Sequence, residues 1–139
     1  DELKMVYEAF FAFALTWSVG SAVADDKIVN HRKAFSSMMR SLTNKMIKFP
    51  EHGECYDYRF EAHRKEWVHW EEWVVPYSPV SERMYQNIII STVEIERMKY
   101  ILDLHVQKRK PALFVGVAGT GKTTIVKDYL SEVKINNDQ

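Results

Sequence analysis

The residues best suited to chemistry in this chain are contiguous: Gly116-Val117-Ala118-Gly119-Thr120-Gly121-Lys122-Thr123 fits G-x-x-x-x-G-K-[ST] without a mismatch. Glycines at 116, 119 and 121 let the backbone curl with its N–H groups turned inward, and a helix starting just beyond them points its positive end at the same spot. Anionic oxygens belong in such a cradle. Lys122 would set a point charge against the β- and γ-phosphates, and the Thr123 hydroxyl would take one site of an octahedral Mg²⁺ that keeps several waters. The chemistry implied is binding of a Mg-nucleoside triphosphate or diphosphate.

Such a loop needs a strand before it and a helix after it. Ala112-Leu113-Phe114-Val115 is an apolar run of buried-strand type, and Thr124 to Leu130 reads as a helix with Ile125, Val126, Tyr129 and Leu130 on one side. Upstream, Asn87-Ile88-Ile89-Ile90 is an apolar run too short for a helix. Ser91 and Thr92 then stand as caps, with Glu94 in the first turn, and predict a helix from Thr92 to Lys108. Its spacing turns Ile95, Met98, Ile101, Leu102 and His105 inward and leaves Arg97 and Lys99 outside. Lys108-Arg109-Lys110 suits a helix C-terminus and needs no nucleic-acid role there, and Pro111 breaks the chain. Pro76 to Ser81 reads as a linker, the best candidate boundary between domains.

The stretch Met5 to Ala24 is apolar, interrupted by Glu8, Thr16, Ser18, Gly20 and Ser21. It has neither the basic start of a signal peptide nor the uninterrupted length of a spanning segment, so we expect a buried core helix over 3–19, ended by Gly20 and Ser21. Asp25 and Asp26 suit the start of a second, amphipathic helix of about five turns, with Ile28, His31, Phe35, Met38, Met39, Leu42 and Met46 on its apolar side and its end before Phe49-Pro50. A turn over Pro50 to Gly53 follows. Strict alternation from Cys55 to Phe60 predicts a half-buried strand, Tyr56, Tyr58 and Phe60 on one face and Asp57 and Arg59 on the other. Trp67, Trp70 and Trp73 are spaced for a helix, while Trp67, His69, Glu71 and Trp73 satisfy a strand period; a second strand or irregular packing is the preferred reading. His52, Cys55, His63 and His69 match no zinc-ligand spacing.

With 46% hydrophobic and 13% aromatic residues, the composition argues against disorder. Lys plus Arg and Asp plus Glu number 19 each, which gives no net field to attract nucleic acid or an anionic membrane. Cys55 alone forms no internal disulfide and suits a reducing compartment. The chain opens Asp-Glu-Leu-Lys without a start methionine, and we expect it to be an excised piece.

A helix, a strand and the glycine loop, preceded by an apolar run ending in Ser-Thr, resemble the start of an AAA+ ATPase module. The upstream series adds to this: Phe10 to Gly20 (FFAFALTWSVG), Phe35 to Met39 (FSSMM), Lys48 to Tyr58 (KFPEHGECYDY) and Val68 to Val74 (VHWEEWV). Over essentially the whole chain this resembles the dynein heavy chain, most like its axonemal forms, between the second and third AAA+ modules. The resemblance implies a helix-rich α/β fold, a truncated P-loop AAA+ module preceded by a helical subdomain and a short aromatic β segment. Residues 1–47 would close one module, 48–80 would form a β-hairpin connector and 81–139 would open the next. It carries the nucleotide contacts onto Gly116, Gly119, Thr120, Gly121, Lys122, Thr123 and Thr124, with Ile89 and Ile90 near the adenine, ATP or ADP as ligand and Mg²⁺ on Thr123. It further implies a regulatory site, a cytoplasmic, cytoskeletal setting in the ciliary or flagellar axoneme, and as partners the rest of the heavy-chain ring. Microtubules and intermediate or light chains would be reached through other parts of the parent. Neither nucleic acid nor membrane is implied.

No apolar strand ending in carboxylates follows the loop, so these residues alone are expected not to hydrolyse ATP. A second reading makes the aromatic stretch 56–75 a docking surface and the loop vestigial. Burial of Trp67, Trp70 and Trp73 separates the two.

Overall fold

The computed structural model describes residues 2–24, 28–43, 47–78 and 89–137. Asp25, Asp26, Met46, Asn87, Ile88 and residues 79–81 of the expected linker lie outside these. The chain divides into two units, Asp1–Glu72 and Trp73–Gln139, a division a few residues ahead of Pro76.

The first unit begins with α1 (Glu2–Ser18), where the apolar run placed it. Its burial differs from the expectation of a helix covered all round. Ala9, Ala12, Phe13 and Thr16 form one buried stripe, while Leu3, Tyr7 and Phe11 are exposed, because the unit covers the helix from one side. Helix α2 (His31–Leu42) is shorter than the five turns expected. Asn30 fixes its start by accepting the Lys33 N–H at 2.7 Å. At the other end the Ser41 hydroxyl donates to the Met38 carbonyl and Thr43 turns extended, so hydroxyl side chains compete with the last turn. Phe35, Ser36 and Met39 are its buried face, whereas Ile28, Met38 and Leu42 are exposed.

The alternating stretch is only partly a strand. Glu54 and Asp57 bond each other's backbone reciprocally, which curls Cys55–Asp57 into a 3₁₀ turn before β1 (Tyr58–Glu61) begins. β1 pairs antiparallel with β2 (Glu66–His69), Tyr58 opposite His69 and Phe60 opposite Trp67. Lys65, at φ 57, closes the connection with its N–H on the Glu61 carbonyl at 2.8 Å. Arg59, expected outside, is buried against Glu61 at 2.6 Å. Its guanidinium is neutralised within its own strand.

Aromatic residues tie these parts together. Tyr56 joins Ala12, Phe35, Met39, Phe49, Cys55 and Tyr58 in one core. Trp67 stacks on Phe49 with centroids 4.0 Å apart and donates to the Ile47 carbonyl at 2.9 Å. Trp70 is fully buried and its indole N–H reaches the Tyr56 carbonyl at 3.1 Å. The polar ends of these rings are thus satisfied by backbone, as burial demands.

In the second unit α3 (Val93–Gln107) starts at Thr92, whose hydroxyl accepts the Ile95 N–H. It ends in a Schellman arrangement. Lys110 N–H bonds the His105 carbonyl and Arg109 N–H the Val106 carbonyl, with Arg109 in the left-handed region at φ 52. Leu102 is buried, whereas Met98, expected inward, is exposed. Residues 111–117 form no strand, contrary to the expectation for 112–115, and Leu113 and Val115 are 87% and 85% exposed. A strand of a parallel sheet exists only when paired, and no partner strand lies among the described residues of this unit. Helix α4 (Lys122–Asn137) follows the loop.

Gly20, expected to end the helix, also packs where no side chain fits. A Cβ there would meet the Phe35 ring at 2.5 Å and the Tyr56 hydroxyl at 2.9 Å, and that hydroxyl bonds the Gly20 carbonyl. We expect Gly20→Ala to destabilise the first unit by about 1–3 kcal/mol, an overpacking cost. Hydrogen exchange should show lost protection across α1 and α2; unchanged protection would mean the rings yield freely.

Candidate functional site

Gly119 and Gly121 sit at φ 83 and 78, where side chains other than glycine's are strained, and a Cβ on either would meet nothing within 4 Å. These two glycines are therefore required by the backbone and not by crowding. The loop is closed by its lysine. Lys122 Nζ donates to the carbonyls of Gly116 (2.9 Å) and Val117 and to the Thr120 hydroxyl (3.0 Å), while that hydroxyl donates to the Val117 carbonyl at 2.9 Å. Ile125 N–H on the Gly121 carbonyl begins the helical ladder.

The result is a concavity of about 440 Å³ lined by Ala118, Gly119, Thr120, Gly121, Lys122, Thr123 and Thr124. No carboxylate is among the lining residues, one ammonium is, and the first turn of α4 offers N–H groups without helical partners. This donor set fits phosphate. Thr123 is exposed and lines the concavity, so its hydroxyl fits as one oxygen ligand of a Mg²⁺ on bound phosphates. Ile89 is half-buried and Ile90 54% exposed. Neither lines the concavity.

What sequence reasoning missed lies between the two helices. Lys99, expected outside, has a side chain only 13% exposed and pairs with Asp128 and, at 2.7 Å, with Glu132 of α4. One turn along α3, Asp103 accepts the Tyr129 hydroxyl at 2.7 Å and is also bonded by Gln107. Tyr129 itself is buried. The available signal was charge complementarity: Lys99 on one helix, Asp128 and Glu132 four residues apart on the other.

Residues 1–72 match the family model described as "Dynein heavy chain AAA lid domain", and residues 77–138 match "P-loop containing dynein motor region". The chain is similar to "Dynein beta chain, ciliary" of Heliocidaris crassispina, 34% identical over 94% of the chain and 3% of the relative. It is likewise similar to "Dynein axonemal heavy chain 17" of Homo sapiens, 31% identical over 99% of the chain and 3% of the relative. With "Dynein axonemal heavy chain 12" of Rattus norvegicus identity is 37% over 88% of the chain and 4% of the relative. The chain thus spans 3–4% of the length of these curated relatives.

The helix pair has a pH dependence of definite sign. Burial pushes the Tyr129 phenol up to about 12, and its hydrogen bond to Asp103 acts in the same direction. For Lys99, burial opposes the charge but is outweighed by Asp128 and Glu132, so its pKa is raised too. In both cases folding favours the protonated form. The Tyr129 contribution to stability is complete below pH 10 and is lost as pH rises from 10 through about 12, and that of Lys99 is likewise present at neutral pH and lost on the alkaline side. NMR titration of carbon-labelled tyrosine, with Tyr129→Phe to identify the resonance, should find this phenol titrating last; a midpoint near 10 would deny the buried bond to Asp103.

Proposed function

Because the chain belongs to the dynein heavy chain family, we propose that residues 116–124 bind the phosphates of Mg-ATP or Mg-ADP in a motor ATPase, at a site that regulates the ring. The observation that carries this reading is the closed glycine loop, whose Gly119 and Gly121 adopt left-handed backbone and whose lining holds one ammonium and no carboxylate. Bound Mg²⁺ would shield charge between phosphate oxygens. The chain's own part is to present N–H groups, the Lys122 ammonium and the Thr123 hydroxyl, with Ile89 and Ile90 toward the adenine.

On this reading residues 1–47 contribute helices to the end of the second AAA+ module, 48–80 the aromatic connector and 81–139 the opening of the third. The parent acts in the ciliary axoneme within a heavy-chain ring, reaching microtubules and smaller chains through other regions; the relatives' ciliary and axonemal names support this setting. The docking alternative loses its discriminating feature, since Trp70 is fully buried and Trp67 is stacked in the core; only Trp73, at 40%, is exposed.

In the full-length parent with its other nucleotide sites silenced, Lys122→Ala should weaken binding of fluorescent Mg-ATP about 10- to 100-fold, the worth of a charged hydrogen bond or two. Unchanged affinity would remove the phosphate-loop reading altogether. Thr123→Ala should act differently. The cradle stays, nucleotide still binds, and the gap between affinities with Mg²⁺ and with chelator closes; a gap as wide as in the wild type would put the metal elsewhere.

A further inference from the structure

We infer that Lys99 and Asp103, on the helix before the phosphate loop, are positioning residues for that loop: by holding Asp128, Glu132 and Tyr129 they fix the helix whose first turn lines the site. The inference rests on the reading of 116–124 as a nucleotide site and assigns it a support outside the glycine motif.

The loop's own bonds close it but do not aim it. Lys122, which closes the loop, is also the first residue of α4, so the direction of α4 sets where the ammonium and the free N–H groups point. Residues 111–117 before the loop form no strand here, and within the described residues of this unit α4 packs on α3. The grip between those helices is polar and specific. One lysine of α3 meets two carboxylates of α4, and one carboxylate of α3 meets the buried phenol of α4.

Apolar packing alone tolerates sliding and rotation. A two-pronged ion pair and a hydrogen bond one turn away admit a single register. Asp128 and Glu132 are four residues apart on α4, facing the same way, so they repel each other unless Lys99 lies between them. Removing Lys99 leaves that repulsion in the second and third turns of α4, close behind the site. The same α3 also carries Glu96, which accepts the Ser91 hydroxyl at 2.6 Å, and Tyr100, which meets Trp73 edge-on, so its own position is fixed at its N-terminal half.

The test is made in the full-length parent, other nucleotide sites silenced, with fluorescent Mg-ATP as probe, far below the unfolding temperature. Lys99→Met should weaken binding about three- to tenfold, a coupling of ordinary size between neighbouring elements, with the unfolding midpoint nearly unchanged. Lys99→Arg, which keeps a cation between the two carboxylates, should bind within about twofold of wild type, whereas a role of shape alone would not be rescued by the charge. Lys122→Ala is run alongside. If it weakens binding about 10- to 100-fold while Lys99→Met stays within about twofold of wild type, the positioning role is wrong and the site stands. If Lys122→Ala has no effect, the site reading fails and this inference with it. Should Lys99→Met unfold the unit, Tyr129→Phe decides, since it removes one hydroxyl and keeps the ring: weaker binding supports the inference and unchanged binding overturns it.

Discussion

The ammonium of Lys122 has three protons, and the loop it belongs to takes all of them, through the Gly116 and Val117 carbonyls and the Thr120 hydroxyl. That closure is what the shape of the candidate site depends on. A backbone that passes through the left-handed region at Gly119 and Gly121 has no intrinsic reason to return on itself, and a charged donor at the centre supplies one. It also sets a condition on binding: with all three protons engaged, phosphate must take one from a loop acceptor, at a loop already closed around the site. Preorganisation of this kind spares part of the ordering cost that binding otherwise carries.

Because the closing residue is the first of α4, the loop inherits the helix's orientation. In the first unit the comparable role falls to aromatic rings. Tyr56 bridges the turn after α1 and helix α2 by bonding the Gly20 carbonyl while its ring lies under the Arg32 guanidinium at 4.1 Å, and the indoles of Trp67 and Trp70 each end on a backbone carbonyl. The two units thus use opposite means. One fixes its elements with large rings whose single polar atom is satisfied, the other with charges held between helices.

The glycine loop was legible because everything it needs is contiguous: glycine spacing, the lysine and the hydroxyl are read off one stretch. Thr92 and the turn at Gly53 were legible for the same reason, since capping and left-handed backbone are local. Lys99 was not. A lysine beside apolar residues on a helix reads as solvated, and its burial depends on Glu132, 33 residues later. Arg59 was misread by alternation, which assigns faces but does not know that Glu61 is there to neutralise the charge. The length of α2 departs on a finer point, since Asn30 caps the helix and the acidic pair Asp25 and Asp26 predicts an earlier start.

The expected strand at 112–115 marks a deeper asymmetry. A helix satisfies its hydrogen bonds within one segment, so α3 and α4 form wherever their sequence and caps permit. A strand satisfies its bonds on a neighbour, so apolar composition is necessary for it and never sufficient. β1 and β2 show the other side of the rule, since each finds its partner across a short connection and both form. The same asymmetry applies to burial. Apolar residues on every face of α1 state what the helix can cover, but only Ala9, Ala12, Phe13 and Thr16 are fully buried by what its unit provides, and Met5, Val6, Leu15 and Trp17 are buried in part. Sequence pattern therefore reports capacity to pair and to bury, and the partner decides how much of that capacity is used.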